Sequence, residues 1–316
     1  MATETGRGKL LITPHQFPHL DLERQLADEF DLDVVVATDQ ADLEESVPDA
    51  TIVLVTPYGR LRAPEFERLE RCRGVVRYGI GYDNIDVEAA KRLKIPVSIV
   101  PDASTEEVAS HAFALGLMLA RRIPQGQQAI RTGGWAGQVP ASAPVLSELR
   151  AGIIGMGRIG RHVAACWKAV GAQVTAYDPV ASFDDVTPGT LEDILSGSDV
   201  VSLHVPLTEQ TRHLVSRESI ALMRPGAVVV NVSRGGLVDE EALADALREG
   251  HLAGAGLDVF EQEPLPSDHV LRGVPNAVLT PHSAWKSTRS LAALQAGAVS
   301  RARALLQGME APDRVA

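Results

Sequence analysis

The sequence predicts an α/β protein of two domains on parallel sheets, the second sheet doubly wound. Three observations carry this expectation. Short Val- and Ile-rich runs alternate with helical stretches along most of the chain. The runs are continuous rather than interrupted by polar residues, which suits strands covered on both faces by helices. A length of 316 residues also exceeds what one hydrophobic core ordinarily organises.

The first series of strands is KLLIT from Lys9, DVVVA from Asp33, TIVLVT from Thr51, GVVRYG from Gly74 and PVSIV from Pro96. A long helix should follow. Asp102 to Glu107 offer polar N-cap candidates and early acids, Val108 to Ile123 is apolar, and Pro124 is expected to stop it. Residues 124–148 hold four glycines and three prolines and read as an irregular arm. A second series begins at Ala151 with AGIIG, then QVTAYD from Gln173, DVVSLHV from Asp199, AVVVNVS from Ala227, LAGAGLDV from Leu252 and AVLTPH from Ala277. Helical segments at 158–170, 190–196, 216–223 and 239–249 separate them, and a last Ala/Leu-rich helix runs from Ser287 to Leu306.

The net charge is −11 and no stripe of Lys or Arg appears, which argues against a nucleic-acid binder. An acidic chain does not draw in an anionic substrate, so a local cation must do so. Cys72 and Cys166 form neither a disulfide framework nor a metal-ligand cluster. The opening MATETGRGK has no apolar leader, and the longest apolar segment, Ala112 to Ala120, is too short to span a bilayer. The expectation is a cytoplasmic protein with no membrane and no metal.

Gly155-Met156-Gly157-Arg158-Ile159-Gly160 fits G-x-G-x-x-G between a strand and a helix. The first glycine permits a tight turn, the second a close approach of pyrophosphate, and the third close packing of helix on strand. The helix N-terminus then offers N–H groups to phosphate. Asp178 ends the next strand, 18 residues after Gly160. A carboxylate there accepts from both ribose hydroxyls and repels a 2′-phosphate, so NAD is expected rather than NADP.

Three polar residues follow strands of the second series: Arg234, Glu263 and His282. Ligands of open α/β sheets bind at such ends. An Arg binds the carboxylate of a 2-oxo acid and polarises its carbonyl. A His exchanges a proton with the carbonyl oxygen, and a carboxylate orients the imidazole.

These segments resemble the D-2-hydroxyacid dehydrogenase family, through RYGIGYDNID, GIIGMGRIG, NVSRGGLVDE, LDVFEQEP and LTPHSAW in that order. The resemblance implies a Rossmann domain, residues 104–285, inserted into a flavodoxin-like substrate domain, residues 1–103 and 286–316. It also implies that Arg234, Glu263 and His282 are catalytic. Within the family, the branch of the C-terminal-binding proteins looks similar, through Arg77 and Trp285. This assigns a second carboxylate contact to Arg77 and to the backbone of Gly79, Ile80 and Gly81, and substrate side-chain packing to Trp285. Further matches to family cofactor contacts are Thr105, the stretch Val205, Pro206 to Thr211, Val232, Ser233 and Asp258. His204 is placed beside the cofactor without a catalytic role. The approach LSELRAGIIG is short for the family, so a distorted junction is expected near Arg150.

The implied function is NAD-dependent reduction of a small 2-oxo acid by a homodimer. Two alternatives remain: an NADH-sensing, corepressor-like interaction module, and an oxidoreductase acting on another oxyanion such as phosphite.

Overall fold

The computed structural model describes residues 7–140 and 143–316. The first six residues, read above as lacking an apolar leader, and residues 141–142 of the arm lie outside the described residues. The chain divides into two compact units. One runs through Ser104 and resumes at Lys286–Ala316; the other is Thr105–Trp285.

The first unit has strands β1 (Gly8–Ile12), β2 (Leu32–Val36), β3 (Ala50–Val55), β4 (Val75–Arg77) and β5 (Val97–Ile99). They pair in parallel in the order β2-β1-β3-β4-β5, a flavodoxin-like sheet. Helices α1 (Asp21–Glu29), α2 (Gln40–Ser46), α3 (Ala63–Glu67) and α4 (Val87–Leu93) connect them, and the C-terminal helix Ser290–Leu306 packs beside α1. Successive strand residues separate by face. Leu11, Val53, Val55, Val75 and Val97 join one core with Leu43, Phe66 and Ala89, while Leu10, Ile12, Ile52 and Leu54 are buried on the other face.

The second unit opens with α5 (Thr105–Ala120) and α6 (Ile123–Arg131). Its sheet comprises β6 (Arg150–Ile154), β7 (Gln173–Tyr177), β8 (Thr187–Pro188), β9 (Val200–Leu203), β10 (Val228–Asn231), β11 (Gly254–Leu257) and β12 (Ala277–Leu279). The order is β12-β11-β10-β9-β6-β7-β8 and every pair is parallel. The order reverses at β6, which is where such sheets bind dinucleotides. Helices α7 (Arg158–Ala169), α8 (Leu191–Gly197), α9 (Arg217–Leu222) and α10 (Glu240–Arg248) complete it. Val228 and Val230 face a core with Leu115, Leu119 and Trp167, whereas Val229 faces one with Ile194, Ile220 and Leu243. Helices therefore cover both faces, as the continuous Val runs require. This is a Rossmann sheet.

Two expectations are corrected, and one element goes unread. Pro124 does not end the long helix. The break comes at Arg122, in the left-handed region at φ 57°, and Pro124 lies in the first turn of α6. A proline at that position has no helical N–H to lose, and its fixed φ suits a helix start. Hence the first part of the supposed irregular arm is helix. The junction at Arg150 is also regular: Asp199 accepts from the Arg150 N–H at 2.9 Å and from its guanidinium at 3.1 and 3.3 Å, so β6 pairs in register from its first residue. Finally, the two-residue edge strand β8 carries too little apolar sequence to be read in advance.

No helix among the described residues is long and apolar enough to cross a membrane. The α5–α7 contact centres on Trp167, 1% exposed, with Phe113 edge-on at 4.9 Å between ring centroids. A Cβ on Gly116 would lie 2.9 Å from the same indole, so the helices meet at a glycine. Trp167→Ala is expected to lower unfolding free energy by roughly 3–5 kcal/mol in a urea titration. In the same titration Trp135→Ala, at an exposed position, should stay within about 0.5 kcal/mol.

Candidate active site

The candidate site is built on loops leaving the carboxyl ends of the second unit's strands. β6 ends at Ile154, and Gly155 turns the chain at φ 98°, where a Cβ would lie 2.4 Å from the His204 carbonyl oxygen. A Cβ on Gly160 would meet the Gly155 oxygen at 1.9 Å, so helix and strand touch there. A Cβ on Gly157 would meet nothing within 4 Å. Gly157 is the N-cap of α7 and no side chain caps the helix. The three glycines thus divide into two that are sterically required and one that leaves an open approach to a helix N-terminus, the arrangement a pyrophosphate needs. The Ile159 side chain packs on the core, so its offer to a phosphate is its backbone N–H.

Asp178, just past β7, ties this loop together. Its Oδ2 accepts from the Met156 N–H at 2.7 Å, and its Oδ1 from Val180 and Ala181 N–H at 2.8 Å each. Burial alone would raise its carboxyl. The N–H groups of Ala181, Val180 and Met156, with the charge of Arg161, outweigh burial and hold it below the usual carboxylate range. A carboxylate has about four acceptor positions, so these three N–H donors leave about one open.

The loop after β9 supplies the next wall. His204 pairs through Nε2 with Ser202 Oγ at 2.8 Å, and burial pulls its pKa down to about 3, so it stays neutral. The Thr211 hydroxyl donates to the Pro206 carbonyl at 2.7 Å and accepts from the Thr208 N–H at 2.8 Å, folding Val205 to Thr211 on itself. Val232 is buried, and Ser233 Oγ donates to the Leu203 carbonyl at 2.8 Å, bridging β10 to β9. Thr105 heads α5. These residues fit a dinucleotide: an uncapped helix end, an open glycine, a fixed acid and a neutral imidazole.

Adjacent strands β10, β11 and β12 deliver the three polar residues expected to carry chemistry. Arg234 follows β10 in extended conformation. Its carbonyl accepts from Asn231 Nδ2 at 2.7 Å and its Nη1 donates to the Ser233 carbonyl at 2.7 Å. His282 follows β12 in the left-handed region at φ 50°, uncommon for a residue with a side chain. Asp258, 1% exposed, holds it there. The Asp258 carboxylate accepts from Thr280 Oγ1 at 2.6 Å, Ser283 N at 2.9 Å and Ala284 N at 2.8 Å, and its carbonyl accepts from His282 N at 2.7 Å. Trp285 Nε1 donates to the His282 carbonyl at 3.0 Å.

His282 Nδ1 lies 2.7 Å from Glu263 Oε2, and Glu263 Oε1 accepts from the Phe260 N–H at 3.1 Å. Burial would raise the Glu263 carboxyl. The His282 hydrogen bond and charge, the Phe260 N–H and the Arg234 charge together hold it below the usual range. An ionised Glu263 only accepts, which puts the proton on Nδ1 and leaves Nε2 as the nitrogen that gains or gives one. A cation, an acid and an oriented imidazole thus meet in one unit.

The first unit carries the other expected positions. Arg77 ends β4 and is 5% exposed, its Nε donating to Asn84 Oδ1 at 3.4 Å and its Nη1 to the Tyr78 carbonyl. Gly79 has φ 120°, and a Cβ there would lie 3.2 Å from Arg77 Nη1. Ile80 and Gly81 continue this loop, with Ile80 exposed.

Sequence reasoning missed three contributors. Asn231 braces the Arg234 backbone, Thr280 anchors the His282 loop, and His111 Nε2 lies 3.0 Å from Thr280 Oγ1. A polar residue closing a Val-rich strand marked Asn231. Nothing local marked His111, which reaches the loop only through folding.

Residues 113–284 match the model of the D-isomer specific 2-hydroxyacid dehydrogenase, NAD binding domain. The chain is similar to a D-3-phosphoglycerate dehydrogenase of Methanocaldococcus jannaschii, 37% identical over 285 residues, covering 87% of this chain and 53% of that one. The chain therefore spans about half the length of that relative. A glyoxylate reductase of Korarchaeum cryptofilum is 43% identical over 255 residues, 77% of this chain and 75% of its own. Among solved structures, D-lactate dehydrogenase of Aquifex aeolicus, complexed with NAD and lactic acid, superposes with a TM-score of 0.87 at 30% identity, covering 95% of this chain and 96% of that one.

The Asp178 geometry has a pH consequence. Its carboxyl is depressed in the folded chain, so the stabilisation is present above the unfolded-state value and is lost as pH falls through the folded one. Wild type should melt above Asp178→Ala at neutral pH. The gap should close as pH drops below the usual carboxylate range, as read by paired thermal melts.

Proposed function

The chain belongs to the D-isomer-specific 2-hydroxyacid dehydrogenase family, and on that premise we propose that it interconverts a small 2-oxo acid and its 2-hydroxy acid, with NAD as cofactor. The observation that carries the reading is the 2.7 Å pairing of His282 with Glu263, close enough to Arg234 for its charge to act on the acid. The relatives named for glyoxylate and D-3-phosphoglycerate support a small 2-oxo or 2-hydroxy acid.

Gly155, Gly157 and Gly160, with the N–H groups of Arg158 and Ile159, would hold the pyrophosphate, and Asp178 a ribose hydroxyl. Val205, Pro206, Thr211, Val232, Ser233, Thr105 and Asp258 complete the cofactor contacts in this reading. Bound NAD supplies or accepts the hydride. Arg234 grips the substrate carboxylate with its planar fork and draws electron density from the carbonyl. His282 holds a proton at Nε2 and gives it to the carbonyl oxygen in reduction, or takes it back in oxidation. Glu263 keeps Nδ1 protonated, so only Nε2 exchanges with substrate.

The finer placement beside the C-terminal-binding-protein branch rests on the residue types at Arg77 and Trp285, with Gly79, Ile80 and Gly81, as substrate contacts. Homodimer formation is favoured by apolar side chains left exposed along residues 121–148. Ile123, Ile130, Trp135 and Val145 are each more than half exposed. A cytoplasmic location belongs to the same reading.

Absorbance at 340 nm with a panel of 2-oxo acids is expected to register turnover with NADH and little with NADPH, and Asp178→Ala should narrow that preference. NADH binding without turnover on any acid would overturn the reading in favour of a sensing module. Arg234→Lys should lower kcat/KM on the best acid by roughly 100-fold or more, because a point charge cannot reproduce a bidentate contact. A value near wild type would remove Arg234 from the chemistry.

A further inference from the structure

The second unit holds another acid–imidazole pair, Glu240 with His269, which the reading above leaves unused. Glu240 opens α10 and is nearly buried. Its Oε2 lies 2.9 Å from His269 Nε2, and its Oε1 accepts from the Glu261 N–H at 3.0 Å. His269 Nδ1 accepts from the Leu271 N–H at 3.4 Å, which leaves the ring proton on Nε2. Both partners of Glu240 are therefore donors, an arrangement that suits a carboxylate, which accepts at both oxygens.

The clamped peptide, Phe260–Glu261, sits among the reactive residues. The Phe260 N–H that Glu263 Oε1 accepts from, at 3.1 Å, belongs to the peptide immediately before it, Val259–Phe260. On another side the peptide touches Gly235, the neighbour of Arg234, where a Cβ would fall 1.8 Å from the Phe260 carbonyl carbon and 2.2 Å from Glu261 N. The Glu261 side chain is held in turn by His213 Nε2 at 2.7 Å and Arg212 Nη1 at 3.6 Å. Arg234, Glu263 and Glu240 are thus referenced to two successive peptides that meet at Phe260.

We propose that Glu240 is a positioning residue, which by gripping the Glu261 N–H fixes the Phe260–Glu261 peptide and so sets the Glu263–His282 couple against Arg234. Its effect on turnover rests on the reading of those residues as the reacting groups; its effect on geometry does not. The charged groups facing Glu240 are His269 and Glu261, and those facing Glu263 are His282 and Arg234. Burial holds the Glu240 carboxyl above the usual range, and the nearby Glu261 charge adds to this, against the Glu261 N–H and His269.

The test is a carbon-13 NMR titration of the Glu263 carboxyl in glutamate-labelled protein, assigned by the signal lost in Glu263→Gln. It compares wild type with Glu240→Ala and with Glu240→Gln, which preserves volume but not double acceptance. If the peptide is set by Glu240, Glu263 titrates at higher pH in both variants, because its own N–H and imidazole partners no longer align. kcat for reduction should then fall roughly 10- to 100-fold, with NADH affinity within about two-fold. Glu240→Ala added to Glu263→Gln should cost little more than Glu263→Gln alone, since the two act through one group. An unmoved Glu263 titration in both variants overturns the proposal, as do losses that multiply in the double variant. A wild type that turns over no 2-oxo acid counts against the family-level function instead, and the carboxyl titration then decides this proposal by itself.

Discussion

A buried carboxylate must find donors, and the end of the second unit that carries the candidate site is organised by one that does. Asp258 is almost completely sealed from solvent, where an unpaired charge would be very unfavourable. Its donors all come from one short segment: Thr280, Ser283 and Ala284 reach its side chain, and His282 N–H reaches its carbonyl. Satisfying the acid therefore dictates the path of the chain after β12. That path holds His282 in the left-handed region, a conformation a histidine adopts only when its surroundings insist. The position of the imidazole is a consequence of charge burial at the end of the preceding strand.

Why Asp258 can organise anything depends on strand direction. Every pair in the seven-stranded sheet is parallel, so β10, β11 and β12 release their chains at the same edge. Arg234, the nearby pair Asp258 and Glu263, and His282 leave three different strands and are collected there. The same geometry puts the glycine loop after β6 and Asp178 after β7 on that edge. In an antiparallel sheet these loops would divide between two ends.

This explains what was legible in the sequence. Strands that must be covered on both faces announce themselves as Val-rich runs, and the residue just past each run is where a parallel sheet keeps its chemistry. Arg234, Glu263 and His282 could be marked in that way, and Gly155 to Gly160 by their spacing between a strand and a helix. What the sequence hid was of two kinds. Pro124 was misread because proline stops a helix from within yet starts one from its first turn, and only the backbone at Arg122 decides which. His111 and Glu240 were hidden because their partners lie far along the chain, and such contacts leave no local pattern; Asn231 was marked as the polar residue closing a Val-rich strand, but its bracing of Arg234 was not. Asp178 lies between these cases: its place was legible, but its engagement with three backbone N–H groups was not.

A general point about acids in this unit follows. Glu263, Asp258 and Asp178 each answer burial with hydrogen bonds to backbone N–H groups, and in each the backbone so held belongs to a functional loop. Glu240 repeats the device on the Glu261 N–H. Backbone N–H donors survive every substitution except to proline, so a carboxylate that binds them fixes loop geometry largely irrespective of the side chains the loop carries. In this arrangement the scaffold of acids is separable from the residues it presents. The loops could accordingly vary while the relation of imidazole, acid and guanidinium stays fixed.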